Sequence, residues 1–336
     1  MKETVKRRAK SRVLWAVDAF PDDPKIQRQA IAAARPFLQA MQVTIEPVYV
    51  AKPGLPGIMV QVPEGLDAVA AQVAKSHVKK YVREARLSSV LPPRFIFAHA
   101  PSTSAMVKDL VEYAKEQQAE LILVATHGRK GVSRFFMGSF AEQLVLRSPI
   151  PVMVTRAGLT KEKSRSIKHI IFPTDFSVVS QRVFAKALSL AKELKADLLL
   201  FHQMEFVYPE IALPFTTPPM PPIDFSLIAQ SRRAEAELWI EQAQKVGVRA
   251  KFHLATKLSD AVTGILHVAK KLPGSLICMA SQSGQMETLF LGSVARRVLR
   301  TAPCPVYLIH PEEAKTTETA TAKQKEPLTQ GKAILA

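Results

Sequence analysis

Cysteine is almost missing from this chain, which has two cysteines, Cys278 and Cys304, among 336 residues. Two cysteines in the second half cannot form a disulfide framework, and they do not have the spacing of a zinc site. So little cysteine use suits a reducing compartment. We therefore expect a cytoplasmic protein whose fold does not depend on disulfides.

Long apolar segments are also missing. The apolar run after the basic N-terminus extends from Val13 to Ala19 and is interrupted by Asp18. A signal peptide needs about 7–15 apolar residues without interruption, and a membrane span needs about 18. The sequence therefore predicts neither secretion nor a membrane partner.

The chain lacks the loop motifs of several common enzyme classes. It contains no Gly-x4-Gly-Lys-Ser/Thr loop, no Gly-x-Ser-x-Gly elbow and no Gly-x-Gly-x-x-Gly fingerprint. The eight histidines are scattered, and His127, which lies in a loop, has no second histidine or acid at ligand spacing. We therefore expect no catalytic residues of these classes and no metal site built from protein alone.

Positive charge is what the chain has in excess, with a net charge of +17. Residues 1–12 contain six basic residues and one acidic residue, and residues 156–168 contain five basic residues and one acidic residue. More than half of the excess therefore lies in two short segments that we expect to be flexible. Binding of nucleic acid remains an alternative, which predicts a steep salt dependence that trimming residues 1–11 removes. The location of the charge makes that partner unexpected.

The sequence repeats itself. MGSFAEQLVLRSPIPVMV, which starts at Met137, matches LGSVARRVLRTAPCPVYL, which starts at Leu291, and VLWAVDAF at Val13 matches HIIFPTDFS at His169. A length of 336 residues also fits about two domains. These matches predict the following segments: a basic tail at 1–11, a first domain at 12–157, a linker at 158–166, a second domain at 167–311 and a disordered tail at 312–336.

Both repeats alternate short apolar strands with helices. Strands rich in Val, Ile and Leu between helices favour parallel sheets that are covered on both faces. The predicted fold class is α/β, with two tandem doubly wound, mostly parallel five-stranded sheets and helices on both faces. The predicted strands are 13–17, 43–50, 94–98, 120–125 and 151–155 in repeat one, and 169–173, 197–202, 248–254, 275–280 and 305–309 in repeat two.

The loop 125–142, ATHGRKGVSRFFMGSFAE, carries the clearest functional signal. A predicted strand ends at Ala125, and Gly138-Ser139 opens a helix. The N–H groups at a helix start can bind an anion, and Arg129, Lys130 and Arg134 would neutralise a phosphate. Alternatively, Ser139 caps the helix and forms a capping box with Glu142. Both interpretations can hold, because a cap and a phosphate compete for only some of the N–H groups.

The spacing Ala125-x2-Gly128-x9-Gly138-Ser139 resembles the nucleotide loop of universal stress proteins, Gly-x2-Gly-x9-Gly-Ser/Thr, with alanine at the first glycine. RSPIPVMV resembles the last strand of that family, and FPTDFS at 172–177 resembles its first strand and turn. The resemblance covers about residues 12–310. It implies a stress-response protein that binds ATP or another adenine nucleotide, with or without Mg²⁺.

The resemblance also assigns roles to matching positions. It places Asp18 near the adenine and ribose, and Val50, after the second strand, on the adenine. A turn-forming or capping aspartate is the alternative for Asp18. We expect the Ala125 methyl to weaken nucleotide binding without abolishing it. The full set of residues predicted to bind the nucleotide is Ala16, Val17, Asp18, Val50, Ala125, His127, Gly128, Arg129, Gly138 and Ser139.

Repeat two departs from this pattern. Seven residues, QMETLFL, separate Gly284 from Gly292, and they include Glu287 but no cation. A shorter, acidic loop is a poor phosphate cradle, so we predict one nucleotide site per chain, in repeat one. Repeat two then serves intramolecular pairing or regulation.

Several alternatives and partners stay open at this point. The chain could be a stress adaptor that does not depend on nucleotide, or a slow ATP hydrolase. The family's dimers imply that the two repeats pair internally through their last strands, and a homodimer or an unknown protein partner is also compatible with the sequence. The proline-rich segment 207–225 could act as a lid, a docking segment or a passive connection.

Overall fold

The computed structural model describes residues 11–21, 25–53, 66–126, 138–156, 159, 166–204, 225–256, 259–281 and 291–311, with the backbone alone for 66–70. The predicted tails and the proline-rich segment up to residue 224 lie outside these ranges. Among the described residues, no helix combines the length and the apolar character that crossing a bilayer requires.

In the part of the chain that the structure describes, each repeat forms five strands and four helices in alternation. Repeat one consists of β1 (Arg12–Ala16), α1 (Lys25–Ala40), β2 (Thr44–Ala51), α2 (Leu66–Ala85), β3 (Arg94–Phe97), α3 (Thr103–Glu116), β4 (Leu121–Thr126), α4 (Ser139–Arg147) and β5 (Val152–Arg156). Repeat two consists of β6 (His169–Pro173), α5 (Val178–Leu194), β7 (Asp197–Gln203), α6 (Phe225–Lys245), β8 (Ala250–Ala255), α7 (Ala261–Lys271), β9 (Ser275–Ala280), α8 (Ser293–Thr301) and β10 (Val306–Ile309). The predicted tandem α/β fold is confirmed.

The two sets of five strands form one continuous sheet. Its strand order is β3-β2-β1-β4-β5-β10-β9-β6-β7-β8, and all pairs are parallel except β5 with β10. The last strands of the repeats therefore join the two sheets edge to edge. We call this antiparallel β5–β10 pair the seam.

Apolar side chains on alternating strand positions build one core on each face of the sheet. One face buries Trp15 of β1 and Phe172 of β6 beneath α1, α2, α5 and α6. The other face buries Leu14 and Ile171 beneath α3, α4, α7 and α8. Both core clusters extend across the seam, because α1 and α5 share one face and α4 and α8 share the other. Strands covered on both sides explain the near-continuous apolar runs of the sequence.

A buried carboxylate connects β2 to α3. Glu46 of β2 is 7% exposed, and its Oε1 accepts a hydrogen bond of 2.6 Å from the Tyr113 hydroxyl on α3. The guanidinium of Arg12 lies 3.6 Å from Glu46 Oε2. This network fixes α3 against β2 on the side of the sheet opposite α1. Burial, followed by the hydrogen bond and the charge of Glu46, raises the pKa of Tyr113 to about 12.

The raised pKa makes stability depend on pH in the alkaline range. An unfolded tyrosine ionises near pH 10, whereas folded Tyr113 keeps its proton to about pH 12. The stabilisation is fully present below pH 10 and is lost as the pH rises toward 12. We expect Tyr113→Phe to lower the free energy of unfolding by about 1–3 kcal/mol at pH 8, because Glu46 loses a hydrogen-bond donor. The variant should also lose less stability than the original protein as the pH rises above 10. Urea unfolding at pH 8 to 11 checks both expectations, and an unchanged alkaline slope in the variant would contradict them.

Candidate functional site

The strand order of repeat one reverses at β1. The chain moves from β1 outward to β2 and β3, and then returns to place β4 on the other side of β1. Ligands of doubly wound sheets bind beyond the carboxyl ends of the strands at such a reversal. The ends of β1 and β4 are neighbours, since Ala16 pairs with Val124. The two strands therefore end side by side at the edge of the sheet where the site is predicted.

Asp18 follows β1 and shapes the turn there. Its Oδ1 accepts a hydrogen bond of 2.9 Å from the backbone N–H of Phe20. Burial first, and then the Asp18 charge, raise the pKa of Tyr49 and of Tyr81. The carboxylate thus lies close enough to act on both phenols. The turn-forming role of Asp18, which the sequence offered as the alternative, is confirmed.

Ala16 and Val17 contribute through their backbone. Both side chains are buried, Ala16 in the core beneath α3 and α4 and Val17 in the core beneath α1 and α2. The N–H of Val17 donates to the carbonyl of Val48, which extends the pairing of β1 with β2 by one residue. The polar groups at this end of β1 are therefore those of the main chain and of Asp18.

A small aromatic group lies beside Asp18. Phe20, which is 50% exposed, lies edge-on to Tyr49 and His77, with ring centroids 6.1 and 5.6 Å away. His77 of α2 also places Nδ1 2.9 Å from the carbonyl of Ala19. We did not predict this group from the sequence, because its members come from three separate segments. The one local signal was the spacing of His77 with the inward positions Ala74, Val78 and Tyr81 of its helix.

Val50 does not lie where the sequence indicated. It is an interior residue of β2 rather than the residue after it, because Ala51 continues the strand and pairs with Phe97. Its side chain is buried in the core beneath α3. Any contact of Val50 with a ligand must therefore come from its main chain.

The methyl group of Ala125 is part of the core. Ala125 lies inside β4, pairs with Thr155, and forms a buried cluster with Ile26 and Ala30 of α1. The alanine that replaces the expected glycine thus packs under a helix. This packing gives the substitution a structural role in repeat one.

Helix α4 begins at Ser139, as the sequence predicts, but its N-cap is Gly138. Gly138 has φ −58° and ψ 143°, and it has no side chain to cap the helix. The predicted capping box of Ser139 with Glu142 is wrong, because Ser139 is already the first helical residue. The Glu142 carboxylate instead lies 3.2 Å from Arg296 of repeat two.

Helix α4 follows β4 in the chain, and its N-terminus begins at the glycine N-cap. Among the described residues, no heavy atom lies within 4 Å of a Cβ built on Gly138. The other predicted loop residues, His127, Gly128 and Arg129, lie outside the described ranges. What the structure adds here is a nine-residue helix whose first N–H groups have no side-chain cap.

In repeat two, the aspartate equivalent to Asp18 is Asp175, and it forms hydrogen bonds with neighbouring residues of its own turn. Asp175 Oδ1 accepts hydrogen bonds from the Ser177 N–H at 3.0 Å and the Ser180 hydroxyl at 2.6 Å. Burial alone would raise the pKa of Asp175, but these hydrogen bonds bring it below its ordinary value. The carboxylate thereby helps to hold the first turn of α5.

A buried amide takes the position of Val50 in repeat two. The N–H of Thr174 donates to the carbonyl of Phe201, just as the N–H of Val17 donates to the carbonyl of Val48. Phe201 is therefore the counterpart of Val48, and Gln203, two residues further on, is the counterpart of Val50. Gln203 is 5% exposed, and its Nε2 donates to the carbonyl of Ala255 at 3.2 Å. Its Oε1 accepts from the Ser259 hydroxyl at 3.3 Å. This amide ties β7 to β8 and to the start of α7.

The aromatic group of repeat two is larger. The ring centroid of Phe176 lies 5.2 Å from that of Trp239 and 5.5 Å from that of His202. The Arg232 guanidinium lies over the Phe176 ring, 6.0 Å from its centroid. Burial lowers the pKa of His202, whose Nδ1 is 2.8 Å from the carbonyl of Thr174. The end of β6 is thus filled by side chains of the chain itself. Within the described ranges, no three His, Cys, Asp or Glu side chains are grouped to hold a metal ion.

The fold is similar to that of solved proteins. A universal stress protein from Archaeoglobus fulgidus superposes with a TM-score of 0.58 at 16% identity, covering 89% of this chain and 98% of that one. A functionally unknown protein from Pseudomonas aeruginosa superposes with a TM-score of 0.55 at 13% identity, covering 94% and 98%. At these identities, the likeness establishes the fold alone.

Sequence comparisons give the family. A universal stress protein of Methanocaldococcus jannaschii is 28% identical over 145 residues, which are 42% of this chain and 81% of that protein. A universal stress protein of Mycobacterium tuberculosis is 27% identical over 212 residues, 60% of this chain and 65% of that protein's length. The model of the universal stress protein family matches residues 10–156 and again 166–310. The chain therefore belongs to the universal stress protein family and carries two of its domains in tandem.

Proposed function

We propose that this universal stress protein is a regulatory protein that binds one adenine nucleotide, ATP in the first place, in repeat one. The observation that carries the proposal is the glycine N-cap of α4, the helix that follows β4, next to the point where the strand order reverses at β1. A helix start without a side-chain cap, placed at the ligand-binding edge of the sheet, suits a phosphate. In this proposal the nucleotide acts as a ligand that changes partner binding, and no residue has a catalytic role.

The phosphates would lie at the N-terminus of α4. Backbone N–H groups from Ser139 onward point toward this end, and the helix dipole favours negative charge there. Gly138 leaves room for a phosphate to approach the main chain. His127, Gly128 and Arg129, assigned from the sequence, would complete the phosphate contacts. Mg²⁺ would reach the site only with the nucleotide, as a ligand of its phosphates.

The nucleoside would lie at the end of β1. The Asp18 carboxylate can accept hydrogen bonds from ribose hydroxyls, and the exposed ring of Phe20 offers an apolar surface to a base. Main-chain groups of Ala16 and Val17, and of Val50 as assigned from the sequence, would border this region. Asp18 and Gly138 would thus hold opposite ends of one ligand.

Repeat two would not hold a second nucleotide. Its aspartate, Asp175, is engaged by Ser177 and Ser180, and Gln203 fills the position of Val50 with a buried amide. Its loop before α8 is acidic and two residues shorter in sequence. Repeat two would therefore serve as the fixed partner of repeat one. Both cysteines are free and buried, which fits the cytoplasm that we propose as the location.

The number of nucleotides bound per chain tests this proposal. We expect calorimetric titration of the full chain with ATP to saturate at one ATP per chain, and the purified protein to release at most one adenine nucleotide per chain when denatured. Two equivalent ATP sites would contradict the assignment to repeat one, and no binding at millimolar ATP would contradict the proposal. Steady release of phosphate that stops in an Asp18→Asn variant would instead establish the slow hydrolase.

A further inference from the structure

The seam brings equivalent positions of the two repeats face to face. The Gly-Ser pairs that open α4 and α8, Gly138 and Gly292, are 154 residues apart. At the seam Met153 pairs with Tyr307, which is 154 residues further along the chain, and Val154 pairs with Val306. An approximate two-fold axis therefore passes through the Met153–Tyr307 pair.

Residues on such an axis meet their own counterparts. If two copies of repeat one paired through β5, each axial position would face an identical residue, and the same holds for two copies of repeat two through β10. The residues at the axial positions of this chain differ between the repeats, on both faces of the sheet. Their differences are complementary.

The difference on the face of α4 and α8 is one of charge. Glu142 and Arg296 occupy equivalent positions, and Glu142 Oε1 lies 3.2 Å from Arg296 Nε. Their side chains are 29% and 42% exposed, so water screens the pair only in part. Two copies of repeat one would place glutamate against glutamate, and two copies of repeat two would place arginine against arginine. Both like-charge arrangements are repulsive.

The difference on the face of α1 and α5 is one of size. Met153 is fully buried, and Tyr307 is 4% exposed with its ring 5.9 Å from Phe37 of α1. Two tyrosines on the axis would crowd the core, and two methionines would leave part of that volume empty. Crowding and cavities both destabilise a packed interior.

A further contact across the seam is made by residues of different type in the two repeats. The guanidinium of Arg156, at the end of β5, donates to the carbonyls of Arg300 at 3.4 Å and Ala302 at 3.0 Å, at the end of α8. The equivalent position of repeat two is His310. The seam is thus asymmetric in charge, in size and in the side chains at its ends.

We infer that the seam is specific for the pairing of repeat one with repeat two, and that it disfavours the pairing of either repeat with its own kind in a second chain. The partner that fits the β5 surface is β10 of the same chain. Specificity of this kind combines contacts that favour one partner with repulsion that acts against the others. The inference does not depend on nucleotide binding.

Exchanging the charges within the full chain tests the inference. Glu142→Arg places two arginines on the axis, as a pair of second repeats would, and Arg296→Glu places two glutamates there. The double variant restores opposite charges in reverse order. We expect each single variant to raise amide hydrogen exchange in the seam peptides 152–156 and 306–309 about two- to tenfold, and the double variant to return it close to the original rate.

The ion pair of Arg28 and Glu84 provides a matched control. It joins α1 to α2 inside repeat one at 3.4 Å, with exposures of 42% and 27%. Arg28→Glu and Glu84→Arg should leave exchange at the seam unchanged. The inference is overturned if the double variant Glu142→Arg/Arg296→Glu exchanges at the seam as fast as the single variants, or if the control variants raise exchange there equally.

Discussion

Gly138→Asp is expected to weaken ATP binding at least about 100-fold while the protein remains folded. An aspartate at this N-cap would accept hydrogen bonds from the N–H groups that we assign to the phosphates, and it would bring a negative charge to within a few ångströms of them. At an effective dielectric constant of about 20, one pair of like charges about 4–5 Å apart costs about 3–4 kcal/mol, which corresponds to more than 100-fold in Kd.

The fold should tolerate this change. Gly138 has an ordinary backbone conformation, and an added Cβ meets no described heavy atom within 4 Å. Aspartate is among the best N-cap residues, so thermal stability should stay constant or rise slightly. Loss of ATP binding without loss of stability separates a ligand site from a structural role. Calorimetric titration and thermal unfolding of the same sample measure the two quantities.

Gly292→Asp is the matched control. Gly292 is the N-cap of α8, with φ −54° and ψ 145°, close to the values at Gly138. Because we place no nucleotide in repeat two, this variant should bind ATP with unchanged affinity and stoichiometry. Equal losses in the two variants would contradict the assignment of the site to repeat one.

Gly264→Met is expected to destabilise the protein by about 3 kcal/mol or more. A Cβ at Gly264, inside α7, would lie 2.6 Å from Phe201 Cζ and 2.8 Å from Gln203 Oε1. The Phe201 ring is 1% exposed and stacks on His253, so it has little freedom to move. Overpacking of this kind typically costs about 1–3 kcal/mol, and a methionine extends well beyond its Cβ. The gain in helix propensity, about 1 kcal/mol, does not offset it.

Repeat one suggests the rescue of that variant. Ser102 and Asp260 are the N-caps of α3 and α7, so Met106 and Gly264 occupy equivalent positions, and Val48 is the counterpart of Phe201. Repeat one thus combines a small strand residue, Val48, with a long helix residue, Met106. Repeat two combines a large strand residue, Phe201, with a glycine in the helix. Phe201→Val/Gly264→Met should recover most of the lost stability in urea unfolding. Gly138→Ala, whose Cβ would meet no described heavy atom within 4 Å, should be close to neutral.

Local sequence signals predicted the elements well. The apolar runs placed the ten strands to within a few residues, because buried parallel strands end where polar residues begin. The repeat at 154 residues indicated that the last strands would be equivalent. Pairing of the two repeats through these strands was implied by the family resemblance and not by the repeat itself, because hydrogen bonds between β5 and β10 join residues far apart in the chain.

The site was predicted less completely, for reasons visible at particular residues. Val50 was placed after its strand because the sequence does not show that Ala51 still pairs with Phe97. Glu142 fitted a capping box by spacing, yet its partner, Arg296, lies 154 residues away. The group formed by Phe20, Tyr49 and His77 comes from three elements. Spacing along the chain reports local geometry, whereas these contacts depend on how elements pack.

The direction of the strands across the seam has a consequence for how the protein can be reached by others. Because β5 and β10 run antiparallel, the strands of the two repeats point to opposite rims of the one sheet. The Asp18 end of repeat one and the Asp175 end of repeat two therefore open away from each other. If the nucleotide binds as we propose, the rim that holds it and the corresponding rim of repeat two lie on opposite sides of the sheet.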